Sequence, residues 1–210
     1  CTRLDGLPLA LELAAARAGS LSPGAILARL NEPLKLLKGG HRDSPERHRA
    51  LERTLAWSFD LLGADEQRLF ARLGIFAGGF ILEAAEGVCD ADLDTVRSLV
   101  DKSLVRRDGE RYAMLETIRG YALDRLRLSG EEPALRDRHA AYFEQLAAAA
   151  HAEPVSRRAA RADELEREHD NLRAALEHLR ATDPRRLLRM AGQLGWFWHA
   201  HSHLAEGRWR

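Results

Sequence analysis

Cysteine is nearly missing from these 210 residues: Cys1 and Cys89 are the only two. A pair of thiols makes no disulfide framework and fits a reducing compartment, so a cytoplasmic location is expected. No apolar run approaches the ~20 residues that span a bilayer, and no signal or transit segment is recognisable, so no membrane partner is expected. An excess of either charge is missing too. Lys+Arg and Asp+Glu number 32 each, which leaves no global field to draw the chain to nucleic acid or to an anionic surface. The sequence contains no G-x-x-x-x-G-K-[ST], G-x-S-x-G, H-E-x-x-H or C-x-x-C. Without them the usual phosphate loop, hydrolase elbow, zinc protease and dithiol chemistries have no residues to work with, and no catalytic or metal site is expected.

What is present is the composition of a well-packed protein, 45% apolar and 30% charged. The length allows one large domain or two small ones. The centre of the chain carries the most local information. In LVDKSLVRRDGERYAMLETIRGY, residues 99–121, a helical pattern gives way to two short apolar–polar alternations, Leu104 to Arg107 and Arg111 to Leu115. Asp108-Gly109 between them predicts a hairpin with a type I′ turn. A helix through Ile118, Tyr121, Ala122 and Leu126 follows. Upstream, helices are expected from Ser44-Pro45 to Gly63, from Asp65 to Phe76, from Leu82 to Val88 and from Asp92 to Ser103, with a tight turn at Ala77-Gly78-Gly79-Phe80. Helices, then a hairpin, then a helix, read as a winged-helix domain over residues 46–130.

Before it, residues 1–45 read as two short helices, started at Pro8 and at Ser22-Pro23, and a linker rich in Gly and charge over residues 39–46. After Gly130 the pattern is almost continuously helical: Leu135 to Ala150, then a helix through Leu165, Leu172, Leu176 and Leu179, then one from Asp183-Pro184 through Leu187, Leu188, Met190, Leu194 and Trp198, and another from His203. Antiparallel helices with short breaks predict the start of a tetratricopeptide-like array over residues 131–210. The fold class expected is therefore mainly α: a helical segment, a winged helix with a small β-hairpin, and helical repeats.

Three constellations invite a functional reading. His199 and His203 share a helical face near His201 and Glu206, but a zinc site needs three or four converging ligands and no Cys lies near, so scattered surface histidines are the simpler reading. Arg97, Lys102, Arg106, Arg107 and Arg111 form a local basic stripe that suits phosphate contact; Asp94, Asp101, Asp108 and Glu110 interleave it and oppose a duplex. Trp196, Phe197, Trp198 and Trp209 suit a partner surface, or more simply packing between helices.

Several motifs together resemble one family. GLPLALELAAA, residues 6–16, resembles the Gly-Leu-Pro-Leu-Ala motif of the NB-ARC-like STAND ATPases. TLAWSFDLL with ADEQRLFARLGIFAGGF, and then RYAMLETIRGYALDRL, resemble the two ends of their winged-helix subdomain. HAAYF, EREHDNLRAALEHL and GWFWHAHSHLAEGR are similar to the region where bacterial regulators of the AfsR/LuxR-type ATPase group begin their helical sensor. The resemblance implies a signal-gated switch. An upstream P-loop domain holds ATP or ADP, the winged helix closes over the nucleotide-bound core, and the repeat array senses an inducer or protein partner. It implies that Gly6, Leu7, Pro8 and Leu9 lie on the adenine side, where a rigid apolar ring packs a base without a hydrogen-bond partner. Relatives carry a Met-His-Asp triplet against the nucleotide phosphate; aligned on Met114, this chain has Leu115 and Glu116, and leucine cannot donate to a phosphate. The absent P-loop leaves two expectations open, a truncated chain or a remnant that cannot hydrolyse ATP, of which truncation is the favoured one.

The function expected is the regulatory portion of a STAND-type transcriptional regulator, with ATP/ADP bound by the parent and not tightly by this segment, and with DNA contacted through another domain. The alternatives are a direct DNA-binding winged helix and a helical-repeat scaffold for protein partners. Leu115 and Glu116 are expected at the nucleotide-facing end of the wing, with Glu116 paired to a basic residue.

Overall fold

The structure, a computed structural model, describes residues 46–154 and 157–200. The expectations for residues 1–45, including Gly6, Leu7, Pro8 and Leu9, and those for His201, His203 and Trp209, lie outside the described residues.

The chain begins with α1 (Glu46–Asp60) and α2 (Ala64–Leu73). Gly63 starts α2 more than it stops α1: its N–H donates to Glu66 Oε2 at 2.9 Å, the reciprocal half of a capping box. A two-residue strand, β1 (Phe80–Ile81), leads into α3 (Leu82–Cys89) and α4 (Leu93–Asp101). Asp90 ends α3 in the left-handed conformation at φ 57°, and Asp92 caps α4 by accepting from the Thr95 N–H at 2.8 Å. Two helices joined by the three residues Asp90–Asp92 have helix-turn-helix spacing. The wing follows as β2 (Arg106–Asp108) and β3 (Arg111–Ala113), and α5 (Glu116–Ser129) closes the unit. The sheet is antiparallel with order β1-β3-β2, pairing Phe80 with Tyr112 and Arg107 with Tyr112 from the other side. A mainly helical unit with a small three-stranded sheet and this element order is winged-helix-like.

The hairpin differs from expectation in register. Asp108 pairs with Arg111, so the loop is Gly109-Glu110, and only Gly109 takes a positive φ, at 59°. Positive φ confined to the first central residue is the type II′ pattern, not type I′. Leu104 and Val105 are not strand residues either. Ser103, at φ 58°, turns the chain so that both their N–H groups close on Leu99 O (3.0 and 3.3 Å), which buries both side chains under the sheet. The expected tight turn at 77–80 stops at Gly79, because Phe80 pairs with β3.

Gly130, at φ 76°, separates α5 from α6 (Glu132–Ala152), and then come α7 (Arg158–Arg167), α8 (His169–Thr182) and α9 (Pro184–Ala200). The single helix expected through Leu165 and Leu179 is two helices, broken at Glu168, whose buried side chain is drawn toward the wing. Among the described residues α6 packs on α8, α9, α3 and α7, and α8 packs on α9. Leu188, one of the apolar residues through which this helix is read from sequence, is 73% exposed, whereas Met190, Leu194 and Phe197 are fully buried.

One apolar core runs through both units. Leu69, Phe70, Leu73, Val96, Leu99, Ile118 and Leu126 form its winged-helix end, and Phe143, Leu165, Leu172, Leu176, Leu179 and Leu194 its helical end. Aromatic rings carry it across. Phe80 stacks on Tyr112 (5.8 Å between centroids), Phe76 meets Phe80 (5.0 Å) and His139 (5.5 Å), and His139 meets Phe143 (4.6 Å). Cys89 sits in this core at 1% exposure, and burial pushes its thiol far above the ordinary range, outweighing the opposite pull of Arg72 and Arg138.

Candidate functional site

The end of β3 delivers Met114 and Leu115 to the base of the wing, where the chain turns into α5. Leu115 is the residue before the helix, in extended conformation, and its side chain packs against the core. Glu116 opens the helix, and Arg119, one turn on, grips it in a fork: Nε donates to Oε2 at 2.8 Å and Nη2 to Oε1 at 2.6 Å. Arg119 also reaches Gly74 O at the end of α2 (3.4 Å). The hydrogen bond from Arg119 holds the Glu116 carboxyl below the usual carboxylate range against a smaller effect of burial, and the same bond raises Arg119. Expected to meet a basic residue, Glu116 has one.

Beside this pair lies a cleft of ≈ 260 Å³. Its floor is apolar, from Leu73, Phe76, Phe80 and Leu115, its wall is the Gly78-Gly79 backbone, and its rim carries Arg106, Glu116 and Arg119. The Arg106 side chain, on fully exposed β2, makes no hydrogen bond or ion pair with any described residue.

The structure divides the basic stripe that the sequence suggests. Lys102 is held by Glu66, which also accepts from Ser98 Oγ and the Gly63 N–H. Burial works against the Glu66 carboxylate, but these hydrogen bonds outweigh it and keep the group below its ordinary range. Arg111 points the other way, to Glu168 on the helical side. Arg107 folds back on its own turn, donating to Gly109 O at 2.8 Å with its guanidinium over the Tyr112 ring (5.8 Å). Exposed cations therefore remain at Arg97, Arg106 and Arg107, not at five positions. On α4, the second helix of the helix-turn-helix pair, the exposed polar residues are Asp94, Arg97 and Asp101, with the capping carboxylate Asp92 just before them.

The aromatic group is mainly core. Phe197 and Trp198 are buried and Trp196 stands edge-on to Phe197 at 6.4 Å. His199 is exposed, and among the described residues no group of three His, Cys, Asp or Glu is placed to hold a metal. No helix there is long and apolar enough to cross a membrane.

Sequence reasoning missed a buried polar cluster that joins the two units. Asn171, fully buried near the start of α8, accepts from the Ala77 N–H (2.8 Å) and donates to Gly79 O and Glu168 Oε2 (both 2.8 Å). His139 Nε2 lies 3.4 Å from Asn171 Oδ1; since that oxygen only accepts, the ring proton is on Nε2. Burial lowers the His139 pKa to about 4, against the hydrogen bond to Asn171, so the ring is neutral. Asn171 stands in EREHDNLRAALEHL, a motif visible in the sequence, but its turn partners Ala77 and Gly79, more than 90 residues upstream, were not.

No known family profile matches the chain. It shares 41% identity over 219 aligned positions with proteins provisionally named HTH-type transcriptional regulators in Mycobacterium tuberculosis and Mycobacterium bovis, covering 99% of this chain and 25% of each relative. Uncharacterized proteins of the same species match at 40% identity over 157 positions, 69% of this chain and 40% of theirs. The first relatives' names are those of regulators, not of enzymes. The chain spans about a quarter of their length, and over almost all of its own it is homologous to a segment of a larger HTH-type regulator.

Proposed function

We propose that the chain is a non-catalytic regulatory segment of a transcriptional regulator, in which the winged-helix-like unit works by contact with neighbouring domains. The observation that carries this reading is the surface of α4. A recognition helix meets an array of phosphates, and here its exposed polar residues are the acids Asp94 and Asp101 against the lone Arg97, with the capping carboxylate of Asp92 just before them. Lys102 and Arg111, which a duplex-binding wing would offer, are committed to Glu66 and Glu168. Closure of the wing base over an upstream ATP- or ADP-holding domain, with Leu115 and Glu116 facing it, is the finer form of the proposal, together with a tetratricopeptide-like sensor built onward from α6–α9. The cleft rimmed by Arg106 and Arg119 supports it.

Direct DNA binding is the second reading. The relatives' name and the helix-turn-helix spacing of α3 and α4 favour it, and that name speaks for it more than for an ATPase switch. Fluorescence anisotropy with the chain and a mixed-sequence duplex, with labelled ATP in parallel, tests both. The expected result is no duplex binding below about 10 µM at physiological salt and no tight ATP binding, as follows from the three exposed cations left in the wing stripe, Arg97, Arg106 and Arg107, and from a sequence without a phosphate loop. Sub-micromolar duplex binding, lost with Arg106→Glu and Arg107→Glu, would make direct DNA contact the function.

A further inference from the structure

We propose that the start of α8 and the turn before β1 form a coupling joint, so that the wing and the four helices α6–α9 move as one body. The turn Ala77–Gly79 lies between α8 and the sheet, close to the Asp170 side chain on one side and to the β3 backbone on the other. A Cβ on Gly78 would stand 2.7 Å from Asp170 Oδ2, and a Cβ on Gly79 would stand 2.6 Å from Tyr112 O. Both glycines have positive φ, 73° and 100°, which lets the backbone come this close. Asn171 then fills three roles at once: it satisfies the Ala77 N–H and Gly79 O of the turn, and it steadies Glu168. Glu168 in turn holds Arg111, the first residue of β3.

The joint therefore touches the sheet at two points, on β3 directly and through the turn that leads into β1. Because β3 is the central strand and runs into Leu115 and Glu116, a displacement of α8 is delivered to the base of the wing. The connection is polar inside an otherwise apolar contact, and one guanidinium nitrogen of Arg111 is buried without a hydrogen-bond partner. Imperfect satisfaction of this kind costs stability, and a contact kept for packing alone would be better served by apolar side chains.

Amide hydrogen exchange on the 210-residue chain tests the joint. In the parent, peptides over residues 77–81, 106–113 and 168–175 are expected to exchange with one common protection. Asn171→Ala is expected to speed exchange roughly ten-fold at 77–81 and 106–113 while α2 and α5 change by less than about two-fold, since local opening is separable from global unfolding. Glu168→Gln keeps the shape and removes the charge facing Arg111, and it supplies the same test if Asn171→Ala does not fold: a selective rise over 106–113 is expected. An even loss of protection across α2, α5 and α6–α9, or no change at the two segments, would overturn the coupling and leave Asn171 and Glu168 as ordinary packing residues.

Discussion

Asn171 and Gly79 lie 92 residues apart in the chain, yet the amide of one donates to the carbonyl of the other at 2.8 Å. That bond ties down a turn whose backbone takes a conformation other residues avoid, so the helical side of the molecule secures the geometry of the sheet on the winged-helix side. The aromatic series from Tyr112 through Phe80, Phe76 and His139 to Phe143 runs alongside it.

The two turn glycines near the sheet should respond unequally to substitution. Gly79→Ala adds a methyl against Tyr112 O and forces φ near 100°, and it should cost about 2–4 kcal/mol in urea unfolding. Gly109, at φ 59° with open space around its Cβ position, should lose only about 1 kcal/mol on the same change. Equal losses would mean that the close approach at Gly79 relaxes freely.

His139 predicts the sign of a pH effect. Its folded value of about 4 lies below the ordinary 6.5, so between those values the unfolded chain binds more protons than the folded one. Stability should therefore fall as pH drops from 6.5 toward 4, by at most roughly 3 kcal/mol from this residue. Carboxylates held low, such as Glu66 and Glu116, contribute with the same sign, and they lose their stabilising bonds as pH falls further. The difference between the parent and His139→Leu isolates the imidazole: the variant's unfolding free energy should vary less steeply across this window.

The two faces of α9 should separate cleanly. Leu188 is 73% exposed, and Leu188→Gln should shift stability by no more than about 0.5 kcal/mol. Leu194 is fully buried, and Leu194→Ala should cost about 2–5 kcal/mol. Thermal unfolding of the two variants beside the parent gives the comparison.

Much of the architecture was written locally. Leu69, Phe70 and Leu73 mark α2 by spacing, Asp92 and Thr95 mark the start of α4, and Gly109 marks the hairpin. Glu116 and Arg119 sit three apart on one helix, so their pairing too was within reach of sequence. Non-local features were not legible. Phe80–Ile81 is too short to alternate and is a strand only because Tyr112 and Arg111 come to meet it. No Gly or Pro marks the break at Glu168, where a tertiary partner, Arg111, lies 57 residues away. Counting cations along the wing likewise could not reveal that Lys102 and Arg111 had been claimed by carboxylates from elsewhere.

The burial of Cys89 gives the molecule an internal reporter. Thiolate is the species that reacts with maleimides and aromatic disulfides, and a thiol raised this far and closed off from solvent supplies almost none in the folded state. Alkylation at Cys89 is thereby gated by opening of the winged-helix core, and its rate clocks that opening without any engineered probe.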